Sequence, residues 1–111
     1  MNRAMASRQF KDEVYAATRR IPCGRVTSYA LLAAAIGRPH AARAVGNALH
    51  RNPTPGPVPC HRVVRSNGNL GGYVHGGARK RSLLMSEGVR LSSNGRIASP
   101  GTLFTFMQQE A

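Results

Sequence analysis

The sequence predicts one small domain, mostly α-helical with a small β-hairpin, arranged as a winged-helix-like helix-turn-helix. Three observations predict it. Apolar residues recur at helical spacing through the first half of the chain. Two short helical stretches between Tyr29 and Arg51 are joined by a tight glycine-containing turn. The β-branched pair Val63-Val64 is followed by Asn67-Gly68, the dipeptide most typical of a hairpin turn. With 111 residues and 41% hydrophobic content, the chain suffices for one modest core and not for two. The expected layout is a flexible N-terminus over 1–7, a single domain over 8–99 and a tail over 100–111.

The elements follow in order. Phe10, Val14, Ala17 and Ile21 are spaced by four, three and four, one face of a helix over Arg8–Arg20 with Ser7 as N-cap. Pro22 ends it and Cys23-Gly24 makes a turn, where Cys23 reads as structural. Ser28 caps a second helix over Tyr29–Ile36, stopped by Gly37. Pro39 suits the first position of a third helix, about His40–Arg51. Val45 and Leu49 stand four apart on its inner side, while Arg43, Asn47 and Arg51 project elsewhere. Gly46 interrupts this helix at about 1 kcal/mol against alanine, which suggests close approach of another backbone. Thr54-Pro55-Gly56-Pro57 is a stiff loop leading to Val58-Pro59-Cys60. Val63-Val64 reads as a short buried strand, and Leu70–Gly77 as a glycine-rich mobile wall over a pocket. That wall lacks the Lys-Ser/Thr of a phosphate-binding P-loop. A last helix is expected over Ala78–Glu87, stopped by Gly88, and a small hairpin over Val89–Ile97.

Charge is the strongest global signal. Sixteen Lys and Arg against four Asp and Glu give +12, and the positive residues are mostly arginine. Arginine suits bidentate phosphate contacts, so nucleic acid is the natural partner, double-stranded DNA given the helix-turn-helix. Five per cent aromatics and no Trp argue against single-strand binding through stacked bases. No apolar run approaches the length of a membrane span, and Met1–Ser7 has no apolar core of a secretory signal. The expectation is a soluble intracellular monomer, in cytoplasm or nucleus. Cys23 and Cys60 form no C-x-x-C, and His40, His50, His61 and His75 stand at no ligand spacing, so no metal is expected.

The candidate chemistry lies in Pro59-Cys60-His61-Arg62-Val63. Cysteine is nucleophilic as its thiolate, and a neighbouring base raises the thiolate fraction. Composition alone leaves a buried structural cysteine beside a surface histidine equally open. Glu87 is the one acid near this stretch in sequence. A carboxylate in the last turn of a helix opposes the helix dipole, which marks Glu87 as the carboxylate to orient His61, a solvated surface glutamate being the alternative.

Pro59-Cys60-His61-Arg62-Val63 resembles the active-site sequence of the O6-alkylguanine-DNA alkyltransferases. The similarity extends over roughly Phe10–Val89. It takes in Val26-Thr27-Ser28-Tyr29, Ala41-Ala42-Arg43-Ala44-Val45-Gly46, Asn52-Pro53, Gly72-Tyr73 and Leu83-Leu84 through Glu87-Gly88. The resemblance implies a domain of the alkyltransferase type whose helix-turn-helix enters the minor groove, where Ala42, Ala44, Gly46 and Asn47 would meet DNA. It implies that Arg43 fills the space left by a flipped nucleotide, and that Tyr29 aids the rotation and protonates the guanine. Asn52 would brace the helix-turn-helix against the active-site segment, and Arg62 would support local structure. Cys60 would attack the alkyl carbon, with His61 as base through a water and Glu87 behind it. Val63, Gly72, Tyr73, Val74 and His75 would line the base pocket. No cofactor is implied, and the transfer is irreversible, one turnover per molecule. The 111 residues hold no counterpart of the N-terminal domain many members carry. A short layout is also typical of the alkyltransferase-like proteins, which bind alkylated DNA without cysteine and recruit excision-repair factors. Cys60 favours the enzyme.

Overall fold

In the computed structural model, which describes residues 3–54, 56–98 and 103–106, the helical periodicity of the N-terminal half becomes three packed helices. They are α1 (Arg3–Arg19), α2 (Tyr29–Ala35) and α3 (Ala42–His50). Val14, Ala17 and Ile21 are buried as their spacing predicts, with Phe10 packed alongside. They meet Leu32 and Ala33 of α2 and Val45, Ala48 and Leu49 of α3. Burial of each branched aliphatic side chain stabilises by about 1.5–3 kcal/mol. Polar ties fix the angles: Tyr15 Oη donates to the Ala48 carbonyl at 2.8 Å, joining α1 to α3. Arg38 lies over the Phe10 ring and pairs with Glu13 at 3.6 Å, joining the turn after α2 back to α1.

Helix boundaries depart from the sequence reading in instructive ways. The α1 backbone is already helical from Arg3, so Ser7 lies inside the helix and not at its N-cap position. Ser28 does cap α2, its Oγ accepting from Leu31 N at 3.0 Å. Gly37 ends that helix at φ +78°, its amide bonding to Ala34 O while Arg38 N reaches Ala33 O. This paired closure needs a left-handed residue, which glycine supplies without strain. The third helix starts at Ala42 with Ala41 as N-cap, so Pro39 lies in the turn before it and not in its first position. The glycine at 46 faces no backbone. An added Cβ there would meet the Tyr29 ring at 3.8 Å.

The sheet differs most. Val63–Val64 is indeed a buried strand (β2), but it pairs in parallel with Thr27–Ser28 (β1), in the register Thr27–Val63 and Ser28–Val64. A parallel pair needs a long crossover, which α2, α3 and the proline-rich loop provide. Asn67-Gly68 still makes its tight turn, Gly68 N donating to Arg65 O at 3.0 Å and Arg65 N to Asn69 O at 2.8 Å. The strand leaving that turn pairs at Asn69 with Arg96, so the turn does not fold β2 into a hairpin. The expected terminal hairpin is present, with Leu91 opposite Ile97 and Ala98 N bonded to Arg90 O.

The chain between these pieces is a 3-10 turn over Cys60–Arg62 and a fourth helix, α4 (Gly77–Ser86), with Glu87 as its C-cap. Val26, Val64, Leu84 and Val89 form a second cluster under α4. Residues 103–106, within the stretch read as a tail, return to the body. Phe104 N bonds to Val26 O at 2.6 Å, and Phe104 and Phe106 are buried in the main core, ring against ring at 5.0 Å. The rest of that tail and the first two residues lie outside the described residues.

Candidate active site and nucleic-acid interface

The parallel pair of strands creates the site. β1 ends at the N-cap of α2, and β2 begins where the 3-10 turn ends. Pairing them sets Tyr29, the first residue of α2, beside the segment that carries Cys60. That segment is fixed from both sides. Asn52, 3% exposed just beyond α3, donates from Nδ2 to Val58 O at 2.9 Å and accepts from Thr54 N at 2.9 Å. Cys60 N donates to the same Val58 carbonyl at 2.7 Å. Asn52 thus ties the end of α3 to the cysteine loop, and Val58, flanked by Pro57 and Pro59, has little freedom to lose. The Cys60 thiol is buried, and burial pushes its pKa up, against the opposing pull of Asn52, Lys80 and the backbone. At neutral pH it rests as a thiol, so a proton acceptor is needed.

The next residue in the chain is a histidine. His61 Nε2 lies 3.0 Å from Glu87 Oε2, and Arg62 grips the same carboxylate from Nε to Oε1 at 3.0 Å and from Nη2 to Oε2 at 2.8 Å. Arg62 Nη1 also donates to Ile21 O at 2.8 Å, anchoring the group to the end of α1. Burial works against ionisation of Glu87, but hydrogen bonds from Arg62 and His61 hold its carboxyl below the usual range. This offsets the unfavourable place of a carboxylate at a helix C-terminus. Burial pushes the His61 imidazole down and keeps it neutral, against the pull of Glu87. An ionised Glu87 fixes the proton on Nε2, which leaves Nδ1 with a free lone pair. Nδ1 is buried and has no partner among the described residues. Cys23, on the turn after α1, is exposed, with its sulfur against the Arg62 guanidinium.

A second buried charge was not legible as such. Lys80 sits in the basic run Arg79-Lys80-Arg81 near the start of α4, yet it is fully buried. Its Nζ donates to Val63 O at 2.7 Å, Gly72 O at 3.2 Å and Tyr29 Oη at 3.3 Å. Burial lowers its pKa from 10.5 to about 8, opposed by Cys60 and helped by Arg65. Tyr29 moves the other way: burial and Cys60 push its phenol up, and Arg65 pulls it down. One signal for Lys80 was available, since stepping back four residues from the buried Leu84 lands on it.

In front of these groups opens a cavity of about 480 Å3. Cys60, Tyr29, Gly71, Gly72 and Tyr73 form its inner walls, and Ala42, Arg43, Gly46 and Asn47 of α3 form its outer one. The Tyr29 ring is held between Gly46 and Gly71. A Cβ on Gly71, at φ +78°, would sit 3.0 Å from the Tyr29 hydroxyl. Glycine is required there on both counts. Other expected pocket residues fall outside the wall. Val63 is wholly buried in β2 and offers the carbonyl that Lys80 holds, and Val74 packs half-buried against the core. His75 stands over Tyr73 and lines a separate cleft of about 270 Å3 with His61 and Arg79. Ala44 is exposed on α3 and is not part of the cavity wall. Among the described residues, no helix is long and apolar enough to cross a membrane, and no three His, Cys, Asp or Glu cluster as metal ligands.

Comparison with known proteins is consistent with this geometry. Residues 9–89 match the family model described as 6-O-methylguanine DNA methyltransferase, DNA binding domain. The chain is 55% identical over 82 residues to the methylated-DNA–protein-cysteine methyltransferase of Salmonella typhimurium, covering 74% of this chain and 48% of that protein. The human protein of the same name is 53% identical over 78 residues, covering 70% and 38%. The chain thus spans less than half the length of these relatives. Among solved structures it resembles Mycobacterium tuberculosis OGT in complex with DNA, with a TM-score of 0.69 at 49% identity over 70% of this chain and 48% of that one. It also resembles S. pombe Atl1 in complex with damaged DNA containing O6-carboxymethylguanine. There the TM-score is 0.78 at 32% identity, over 88% of this chain and 96% of that one. The chain belongs to the 6-O-methylguanine DNA methyltransferase DNA-binding-domain family.

Proposed function

We propose that this protein binds duplex DNA through α3 in the minor groove, receives a flipped O6-alkylguanine in the cavity, and takes the alkyl group irreversibly onto Cys60. One observation carries the reading: Cys60 lines the cavity and directly precedes a histidine with one nitrogen held by Glu87 and the other without a partner among the described residues. Successive side chains in this segment diverge, so the thiol proton reaches His61 Nδ1 through a water, and Glu87 stabilises the imidazolium that forms. The thiolate attacks the alkyl carbon; the C–S bond forms as the C–O6 bond breaks. Guanine leaves with a proton from Tyr29, and the Lys80 ammonium, donating to that hydroxyl oxygen, stabilises the phenolate left behind. Exchange with solvent then returns the His61 proton and restores Tyr29. The thioether does not revert, so each molecule reacts once. Arg43, exposed on α3 and lining the cavity, would occupy the stack vacated by the base, and flipping is cheapest for a weakly paired lesion. The protein acts as an intracellular monomer with no cofactor.

A second reading is a lesion sensor that recruits excision-repair factors without transfer. It is favoured by the match to Atl1, which spans nearly all of that chain. Incubation with duplex DNA carrying O6-methylguanine, followed by peptide mass spectrometry, separates the two. Transfer predicts a methyl group on the Cys60 peptide, absent in Cys60→Ala. Tight lesion binding with unmodified Cys60 would establish the sensor instead.

A further inference from the structure

The rim of the cavity carries a cation that the proposed chemistry leaves unused. Arg65 follows β2 directly, and both its amide and its carbonyl are bonded into the tight turn, which fixes where its side chain starts. Its Cγ lies 3.6 Å from the position a Cβ on Gly71 would take, the same point that is 3.0 Å from the Tyr29 hydroxyl. Arg65 therefore stands next to Tyr29, across one glycine. The side chain is exposed, and among the described residues its guanidinium has no ion pair. It lines the base cavity and also an adjoining cleft of about 510 Å3, and the two share Ala30, Arg65 and Ser66. Among the described residues, neither is lined by an Asp or Glu. A continuous, acid-free groove thus runs from the base cavity across Arg65 toward the Ser66–Gly68 turn.

We propose that Arg65 anchors a backbone phosphate of the DNA strand from which the lesion is turned out, and that this strand leaves the cavity along the adjoining cleft past Ser66. The inference rests on the DNA-binding half of the proposed function. A base lodged beside Tyr29 leaves its own sugar-phosphate at the rim, where the planar five-donor fork of arginine matches two phosphate oxygens. Pairing with phosphate would also relieve the pressure that Arg65 exerts on the buried Lys80 ammonium.

The test measures binding of a duplex carrying O6-methylguanine across a salt series, in a Cys60→Ser background so that the lesion persists. Adding Arg65→Ala is expected to weaken binding roughly three- to tenfold and to make the salt slope shallower by about one. Arg65→Lys should keep the slope while losing part of the affinity. In protein with Cys60 intact, alkylation by free O6-benzylguanine base should fall by clearly less than alkylation by the duplex, since no phosphate is involved. An unchanged salt slope would overturn the proposal. So would an equal loss of duplex and free-base reaction, which would place Arg65 in the chemistry of Tyr29 and Lys80. A protein that shows the slope change yet never alkylates Cys60 would retain this contact and sink the transfer reading.

Discussion

Behind Cys60 and in front of it, the molecule is built to opposite specifications. Behind lies a closed cluster, in which Glu87 is bonded by both His61 and Arg62 and Arg62 ties the group to Ile21 just beyond α1. In front lies an open cavity walled by glycines, alanines and exposed arginine, with few side chains committed to one another. Geometry fixed by hydrogen bonds suits proton transfer, which fails if a donor strays by an ångström. A small-residue wall suits a ligand that arrives as a bulky, charged duplex whose backbone must come close. Cys60 and Tyr29 are where the two meet, with Lys80 bonded to Tyr29 and to the Val63 carbonyl.

The contrast gives an order of expected effects. The largest belongs to the relay. Glu87→Gln removes the charge that stabilises imidazolium and should slow Cys60 alkylation by 10²–10⁴-fold, with duplex affinity unchanged. A comparable loss of affinity would mean Glu87 shapes the DNA face. Lys80 comes next. Its folded pKa of about 8 lies below the unfolded value near 10.4, so between these the unfolded chain binds more protons and stability rises with pH. Lys80→Met should abolish that rise, about 3 kcal/mol between pH 8 and 10.5, when its denaturation midpoints are compared with those of the parent protein. Parallel pH profiles would contradict a Lys80 pKa lowered by burial. Gly71→Ala forces a methyl onto the Tyr29 hydroxyl at an unfavourable φ. It should destabilise by about 1–3 kcal/mol and slow alkylation by the duplex and the free base alike. Unchanged thermal midpoints would show that the wall yields.

Much of the closed half was legible because its chemistry is local. Cys60, His61 and Arg62 are consecutive, and Glu87 betrayed itself by sitting at the wrong end of a helix. The open half was read less well because tertiary pairing decides it. The resemblance implies Val63, Val74 and His75 as pocket residues, with nothing in their local sequence to show which way each faces. The parallel pairing of β2 with β1 turns Val63 inward, and the turn after Tyr73 carries His75 to another cleft. Lys80 was missed because composition reads a basic run as a solvated face, whereas three converging acceptors kept one of its members inside. Phe104 and Phe106 carry no periodic signal, yet pairing next to Val26 buries them. Ser7 and Pro39 are good helix starters that the helices ignore, since packing sets those boundaries.

One measurement tests the division most directly: the rate of Cys60 alkylation by O6-methylguanine duplex and by the free base, in Glu87→Gln and Arg43→Ala. The relay variant should lose both rates by the same factor. Arg43→Ala should lose about tenfold on the duplex while its reaction with the free base stays within about twofold of the parent. If Arg43→Ala lost both rates equally, or Glu87→Gln lost only the duplex reaction, the separation of a closed relay from an open reception site would be wrong.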